Sequence, residues 1–502
     1  MKTFEKLNRL NKDIWFLLLF AVSALLYLFN INFSDIWIDE AFTKGLVENS
    51  FSDMMGLIKN DFHPPLYFYG LKVFVTIFGL SVFTLRLFSV IAVLSTLVLG
   101  YVAGQRVFGK SGALYFCLLL FSLPMIAYNS HEARMYSWGA FSVTGVFLYS
   151  LSFISTNKKG DLILLMLFSL IAAYTHYYGL IAAFWANVFV AVFLVAKRNS
   201  SWRIHLGYSF IAVLCYLPWL FVLLNHTKKA QEFFWVPPVS WHTILYCFVL
   251  PFAQKFRMTP YSWCMAFIFC VLTGWVIYRN YIARKDQQGI ILGLALTIFG
   301  LTVLTTTVIS LVSQPVLYFR YIMIIVVMLI VPPALFIISV KNNRIKAIFL
   351  TVIVGCGIII SIRSSYFSYG PYKQSVEYIH KTYPEVNKVF HVMETTAGPF
   401  VEYRNFDIEN YWYKPENTIV FTNLDVFENL HTTDSLGKVL KKEEPFCAVS
   451  FPNLPFNENN LKQIISESRL LKVDTVTDNK NERDGGKIEL YILRYQGTKP
   501  GL

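Results

Sequence analysis

The chain has 502 residues, of which 55% are hydrophobic and only 15% are charged, with a mean hydropathy of +0.49. A soluble domain cannot bury that much apolar surface, so these values exclude a soluble globular protein and indicate a membrane protein. The formal net charge of +13 does not indicate a nucleic-acid partner, because many Lys and Arg residues fill short gaps between apolar runs. No Cys or His spacing typical of a zinc site occurs.

Eleven apolar runs are long enough to cross roughly 30 Å of hydrocarbon. The predicted spans are residues 14–31, 83–104, 112–130, 136–156, 161–178, 179–196, 206–224, 261–278, 289–312, 321–340 and 347–363. The first run follows four basic residues and precedes no small-residue cleavage site, so we predict an uncleaved span.

The distribution of basic residues predicts the topology. The gaps on one side (residues 1–13, 105–110, 157–160, 197–205, 279–288 and 341–346) carry 17 Lys or Arg, and the longer opposite gaps carry about half as many. By the positive-inside rule the first set is cytoplasmic, and an odd number of spans places the C-terminal region outside. The 15-residue apolar segment 66–80 would invert this pattern if it crossed, so we predict a re-entrant or interfacial helix on the outer side.

The last part of the chain changes character. Short apolar runs at 388–393, 418–422, 446–451 and 488–493 alternate with helical periodicity at 372–383 and 461–470. This alternation predicts a small α/β domain. The predicted organisation is a transmembrane domain over residues 1–363, which includes an outer loop at 32–82, followed by an extracytoplasmic α/β domain over residues 364–502.

Charges near apolar runs are the informative residues, because each costs about 2.5–3.5 kcal/mol at mid-bilayer. The first outer loop contains Asp35, Trp37, Asp39 and Glu40. Adjacent carboxylates just outside a span can supply a general base and a group that positions it. The alternative is an interfacial helix with Asp35 or Asp39 near its N-terminus, where the helix dipole favours an acid.

The same loop continues with Asp61, Phe62 and His63, followed by Pro64 and Pro65. The two prolines restrict the backbone and end any preceding helix, so they would hold Asp61 and His63 rigidly. A simple helix start remains the alternative.

Three further polar clusters fall at outer ends of the predicted spans. The first contains His131, Glu132, Arg134 and Tyr136, either as an Arg–carboxylate pair or as a cation for phosphate. The second contains His176 and Tyr177, with an aromatic belt as the alternative. The third contains Arg320 and Tyr321, with a snorkelling anchor as the alternative. All five clusters lie on the same predicted face.

Taken as an ordered set, these motifs resemble a known family. Trp37-x-Asp39-Glu40, His63-Pro64-Pro65-Leu66-Tyr67, Glu132-Ala133-Arg134-Met135-Tyr136 and Arg320-Tyr321 resemble the bacterial relatives of protein O-mannosyltransferases. The lipid A aminoarabinose transferase family looks like a more distant relative. Both are membrane glycosyltransferases of the GT-C fold, and the resemblance covers nearly the whole predicted membrane part.

The resemblance implies a polyprenyl-phosphate sugar donor, used on the outer face of a bacterial inner membrane with inversion at the anomeric carbon. Asp39 matches the family's catalytic acid, with Glu40 as its neighbour, and Arg134 matches an arginine near the donor phosphate. Arg320 matches as a pocket residue, and we predict that it helps Arg134 to bind the donor phosphate. The remaining pocket residues are Asp61, His63, His131, Glu132, Tyr136, His176, Tyr177 and Tyr321.

The sequence therefore predicts an inverting glycosyltransferase, hexosyl or pentosyl, with membrane lipids around it and a lipid, protein or glycan as acceptor. No cofactor is predicted, because no dense carboxylate cluster for a divalent metal occurs. The alternative is a transporter or flippase of lipid-linked sugars. Such proteins usually carry charges near the bilayer midplane and repeated halves, and this sequence has neither pattern.

Overall fold

The structure is a computed structural model that describes residues 2–232, 236–253, 258–283, 286–403, 406–415, 426–427, 429–452, 458–478 and 486–496. The chain forms two compact units. The first contains residues 1–29 and 62–365, and the second contains residues 30–61 and 366–502. The sequence-based division kept the whole outer loop 32–82 with the membrane domain, whereas residues 30–61 group here with the C-terminal region.

The first unit is helical. Its α-helices are α1 (Lys2–Leu28), α4 (Leu66–Phe78), α5 (Val82–Val102), α6 (Gly104–Phe121), α7 (Pro124–Ser130), α8 (Tyr136–Thr156), α9 (Lys159–Thr175), α10 (Tyr177–Ala196), α11 (Ser201–Glu232), α12 (Trp241–Val249), α13 (Pro260–Ala283), α14 (Asp286–Val312), α15 (Val331–Ser339) and α16 (Asn343–Ser364). Two 3-10 helices, Leu250–Phe252 and Phe319–Ile330, complete it.

This unit is a polytopic membrane domain. Among the described residues, nine helices are long and apolar enough to cross a membrane, or ten if α6 and α7, bent by 67°, form one broken span. The remaining predicted span, residues 161–178, corresponds to the 17-residue helix α9. The total of eleven spans and the orientation of the protein in the membrane stay predictions. Large apolar side chains cover its outer surface: Phe210, Leu311 and Ile348 are 64%, 70% and 65% exposed, as expected for helices that face lipid.

The predicted re-entrant segment is the 13-residue helix α4. At a rise of 1.5 Å per residue it is about 20 Å long, which is shorter than the hydrocarbon core. Pro64 and Pro65 precede its first residue, as the restricted backbone of proline predicts.

The second unit is α/β. Its helices are α2 (Ile38–Glu48), α3 (Phe51–Asn60), α17 (Tyr372–Thr382), α18 (Glu394–Val401) and α19 (Glu458–Ser466), with a short 3-10 helix at Leu436–Lys438. Its strands are β1 (Lys388–His391), β2 (Glu409–Tyr413), β3 (Leu430–Thr433), β4 (Pro445–Ser450), β5 (Ser468–Thr477) and β6 (Lys487–Tyr495).

The described strands form one sheet of six in the order β3-β2-β1-β4-β6-β5. Strands β3, β2, β1 and β4 are parallel, and β6 pairs antiparallel with both β4 and β5. A hydrophobic core that includes Phe390, Tyr413, Phe446 and Leu493 stabilises the sheet. The strand order reverses between β1 and β4, as in doubly wound α/β domains.

The sequence located part of this unit correctly. The predicted strands 388–393, 446–451 and 488–493 and the predicted helix 372–383 are confirmed as β1, β4, β6 and α17. The predicted helix 461–470 ends at 466, and its last residues belong to β5. Strands β2, β3 and β5 were missed, and the predicted strand 418–422 lies outside the described residues.

His391 gives the α/β unit a dependence on pH. Its ring nitrogens lie 2.9 Å from Asn410 Oδ1 and 3.1 Å from Thr396 Oγ1, and the side chain is fully buried. Burial lowers the pKa of His391 to about 4, although the hydrogen bond to Asn410 opposes this change. The unfolded chain, with an ordinary histidine pKa near 6.5, therefore binds a proton that the folded unit excludes.

We predict that the free energy of unfolding of this unit falls as the pH drops from about 6.5 to 4, by about 3 kcal/mol in total. Hydrogen exchange of β1 and β4 peptides in urea, read by mass spectrometry on the full-length protein, measures this loss. His391→Gln, which has no titrating group, is expected to flatten the pH profile. An equally steep profile for His391→Gln would contradict the assignment.

Candidate functional site

The turn between α7 and α8 carries the predicted cation Arg134, and hydrogen bonds to the backbone carbonyl and to the side chain of Glu132 hold this turn. The carbonyl of Glu132 accepts from the Arg134 N–H at 2.8 Å and from Ser89 Oγ at 2.6 Å. The Tyr128 hydroxyl donates to the Glu132 carboxylate, and Glu132 is 1% exposed. The turn is therefore fixed from α5 and α7, and Arg134 starts from a rigid backbone.

His131 points from the same turn toward α1. Its Nε2 lies 2.8 Å from the backbone carbonyl of Tyr27. Burial lowers the pKa of His131 to about 4, and the positive charge of Arg86 acts in the same direction. The residue is therefore neutral near pH 7, and its contact anchors α1 to the turn.

Arg134 contacts the second predicted motif. Its Nη2 lies 3.3 Å from His63 Nε2, and Arg134 is buried. A guanidinium group can only donate, so His63 Nε2 is the acceptor in this contact. Residues separated by 71 positions in the chain thus meet at one point.

His176 connects these residues to the aromatic clusters. It lies at the break between α9 and α10 with an extended backbone, and its Nδ1 accepts from the Tyr178 N–H at 3.1 Å, which caps α10. Its ring centroid is 6.1 Å from that of His63, 6.0 Å from Tyr136 and 5.0 Å from Tyr321. The structure thus brings four of the predicted motifs into one buried cluster.

Arg320 is the second residue of the 3-10 helix Phe319–Ile330 and is 8% exposed. This helix approaches α8 closely at Gly139, where an added Cβ would lie 2.9 Å from Ile324 Cγ1. The next residue, Tyr321, also packs against Tyr136 with ring centroids 6.1 Å apart. The close contact at Gly139 therefore helps to place the Arg320 segment beside the cluster.

Two residues that the sequence reasoning missed belong to this region. Arg86, on α5, is 1% exposed and acts electrostatically on His131. Its position inside the predicted span 83–104 was a signal, because a charge in a span is costly. His226 is also buried, and its Nδ1 lies 2.7 Å from the hydroxyl of the predicted pocket residue Tyr177. A histidine just beyond the predicted span 206–224 carried little signal.

The electrostatics of the region favour an anion. Among its described residues, the helical unit buries three guanidinium groups, on Arg86, Arg134 and Arg320, and in this region also the carboxyl group of Glu132. Desolvated cations are costly unless negative charge compensates them. Guanidinium groups also match the geometry of phosphate oxygens better than other cationic side chains do. The cluster is therefore chemically suited to bind a phosphate group.

The predicted acids of the first outer loop lie in the second unit. Asp39 is in the first turn of α2 and partly exposed, whereas its neighbour Glu40 is 1% exposed. Asp61 follows α3 as its C-cap residue, and its N–H donates to Leu57 O and Ile58 O. Among the described residues, no group of three or more His, Cys, Asp or Glu side chains is arranged to hold a metal ion.

These observations define a polytopic membrane protein whose helical unit contains a buried basic cluster and whose α/β unit has a sheet of six described strands. Comparison with solved structures shows that the chain has the GT-C fold, which the sequence resemblance implied. ArnT from Cupriavidus metallidurans bound to undecaprenyl phosphate is similar with a TM-score of 0.57 and 14% identity, over 97% of this chain and 99% of that chain.

Two further solved structures and one family model also match this chain. The apo state of the same ArnT matches with a TM-score of 0.57 and 11% identity, over 95% of this chain and 97% of that chain. The Archaeoglobus fulgidus oligosaccharyltransferase in complex with Zn and sulfate has 12% identity and a TM-score of 0.46, over 76% of this chain and 61% of that chain. The family model described as dolichyl-phosphate-mannose-protein mannosyltransferase matches residues 62–221. No curated protein matches the sequence.

We predict that Gly139→Val destabilises the helical unit by about 1–3 kcal/mol, because the added atoms meet Ile324 in a closely packed contact. The melting temperature in detergent measures the effect. Gly300→Val is the matched control, since among the described residues nothing lies within 4 Å of a Cβ at Gly300. Equal melting temperatures for the two variants would contradict the packing argument.

Proposed function

We propose that this protein is an inverting glycosyltransferase that takes a hexosyl or pentosyl group from a polyprenyl-phosphate donor. The observation that supports the proposal most strongly is the buried cluster around Arg134. The chain also has the fold of ArnT, whose structure was determined with bound undecaprenyl phosphate. A lipid monophosphate needs an anion site at the end of apolar helices, and the cluster meets this requirement.

The donor phosphate binds Arg134 and Arg320 in this proposal. The negative charge on the phosphate grows as the sugar leaves, so a cation stabilises the transition state more than the bound donor. The low dielectric of a buried site strengthens this interaction. The isoprenoid tail lies in the bilayer beside the helices, where exposed apolar side chains such as Phe210 face lipid.

Asp39 is the general base of a single displacement. Its carboxylate accepts the proton of an acceptor hydroxyl while the hydroxyl oxygen forms a bond to the anomeric carbon. The bond between that carbon and the phosphate oxygen breaks, and its electron pair stays on the released polyprenyl phosphate. The resemblance of the first-loop motif supports this role, and the partial exposure of Asp39 suits a residue that meets substrate.

The reaction takes place on the outer face of the inner membrane in this proposal. The distribution of the 17 basic residues supports that orientation, because it places the gaps that carry Arg134 and Arg320 opposite the cytoplasmic side. The acceptor is a lipid, protein or glycan hydroxyl. Residues 364–502 are then extracytoplasmic as well.

The direct test uses purified protein in liposomes with a panel of radiolabelled polyprenyl-phosphate sugars and a membrane extract as the acceptor source. We predict label transfer by the native protein and no measurable turnover by Asp39→Asn, which keeps the shape of the side chain but cannot accept the proton. Turnover of Asp39→Asn near the native rate would refute the role of Asp39. Movement of intact donor across the bilayer without transfer would instead indicate a transporter.

A second prediction concerns the phosphate site. Arg134→Ala is expected to lower kcat by about 10²–10³-fold, because a preorganised donor to the developing charge is lost. Arg134→Lys keeps the positive charge but lacks the planar guanidinium group, so its kcat should lie between those of Arg134→Ala and native protein. Steady-state kinetics with varied donor measure this order.

Arg344→Ala, at an exposed position in a predicted cytoplasmic gap, is the control and should keep native kinetics. If Arg134→Ala and Arg344→Ala had the same kcat, Arg134 would have no part in stabilising the leaving phosphate.

A further inference from the structure

Helix α2, which carries Asp39, packs against helix α18 and the residue after it within the α/β unit. Ile38 approaches α18 so closely at Gly398 that an added Cβ would lie 2.8 Å from Ile38 Cδ1. Lys44, further along α2, forms an ion pair with Glu402, whose side chain is 5% exposed. A segment from the first loop is thus part of a unit whose other residues follow it by more than 300 positions.

The chain just before α2 is held by the segment that leads into α17. Asp35 Oδ2 accepts a hydrogen bond of 2.9 Å from the Lys373 N–H, and Ser34 Oγ accepts one of 3.2 Å from the Tyr369 N–H. The ring of Trp37 stacks on that of Tyr369, with centroids 4.5 Å apart and an interplanar angle of 6°. These contacts fix three of the four residues that precede the first turn of α2.

The contact of Asp35 completes a helix terminus. The N-cap residue of α17 is Pro371, whose side chain has no atom that can accept a hydrogen bond. Asp35, which is 8% exposed, supplies the missing acceptor for the N–H of Lys373 in the first turn. An acid at this position also interacts favourably with the helix dipole. Asp35 is therefore an N-terminal cap contributed by a distant part of the chain.

We propose that the α/β unit positions the catalytic helix α2, and that Asp35 is the positioning residue that links them. Asp35 does not touch substrate in this proposal. It fixes the backbone at Trp37, the N-cap residue of α2, and so sets the direction of Asp39 two residues further on. This assignment rests on the proposed function, because the orientation of the Asp39 side chain matters for the rate only if Asp39 acts as the base.

The exposure pattern of α2 agrees with this role. Glu40 is 1% exposed and Ile38 is 8% exposed, whereas Asp39 between them remains partly exposed. Ile38 and Glu40 are thus committed to packing, whereas Asp39 keeps part of its surface exposed. Errors of about 1 Å in the placement of a reacting group can reduce rates about 10²-fold, so a loosened α2 has a large kinetic effect.

The test compares Asp35→Ala, Asp35→Asn and Lys373→Ala in the liposome transfer assay, with native protein and Asp39→Asn in parallel. We expect Asp35→Ala to lower kcat by about tenfold to a hundredfold while the donor KM stays within about twofold, because Asp39 is misplaced and the phosphate site is intact. Asp35→Asn keeps an oxygen acceptor and should recover most of the rate. Lys373→Ala keeps the backbone N–H and should resemble native protein.

Further measurements separate positioning from a loss of folded protein. Rates are normalised to the monodisperse fraction, and Tyr369→Leu, which removes the stacking ring but leaves the cap, should lower kcat by a smaller factor. If Asp35→Ala fails to fold, Asp35→Asn and Tyr369→Leu still decide the matter.

A native kcat for both Asp35→Ala and Tyr369→Leu, or an Asp35→Asn variant as slow as Asp35→Ala, would overturn the positioning role. So would a loss of rate that merely follows the folded fraction. If native protein transfers sugar and Asp39→Asn does not, these results overturn the positioning role alone. If native protein transfers nothing, the proposed function itself fails.

Discussion

The burial of guanidinium groups in a helical membrane unit is the constraint on which the rest of the structure depends. A desolvated arginine is costly, and the cost is acceptable only where hydrogen-bond acceptors and negative charge are arranged around it. The guanidinium group of Arg134 donates to His63 Nε2, and its side chain starts from a turn that Ser89 and Tyr128 hold in place. A phosphate that enters this region adds negative charge where positive charge is already in place.

The fold supplies the remaining geometry from elements far apart in sequence. The break at His176 between two helices and the close contact at Gly139 bring aromatic rings and the start of a 3-10 helix to the same cluster. Within the second unit, Asp35 joins the first loop, which carries the predicted base Asp39, to helix α17. Each half of the proposed chemistry therefore has a rigid support of its own, as preorganised catalysis requires.

Much of this organisation could be predicted from the sequence, because membrane helices and charges close to them leave a strong local signal. Arg134 and His176 stood out for that reason, as did the fold class. Features that depend on tertiary contacts were predicted less well. The grouping of residues 30–61 with the α/β unit depends on pairings across more than 300 positions, which no local pattern encodes. Arg86 was missed although its position inside an apolar run was a signal, and the short edge strand β3 was missed because its four residues form no apolar run.

The most direct test of the central claim is the binding of a polyprenyl monophosphate to the purified protein, free of any assumption about sugar or acceptor. Native mass spectrometry in detergent with undecaprenyl phosphate, and with the corresponding uncharged polyprenol as a control, measures it. We predict that native protein binds the polyprenyl phosphate far more tightly than the alcohol and that Arg134→Ala loses this preference. Equal binding of phosphate and alcohol by native protein would contradict the claim that the buried arginines form a phosphate site.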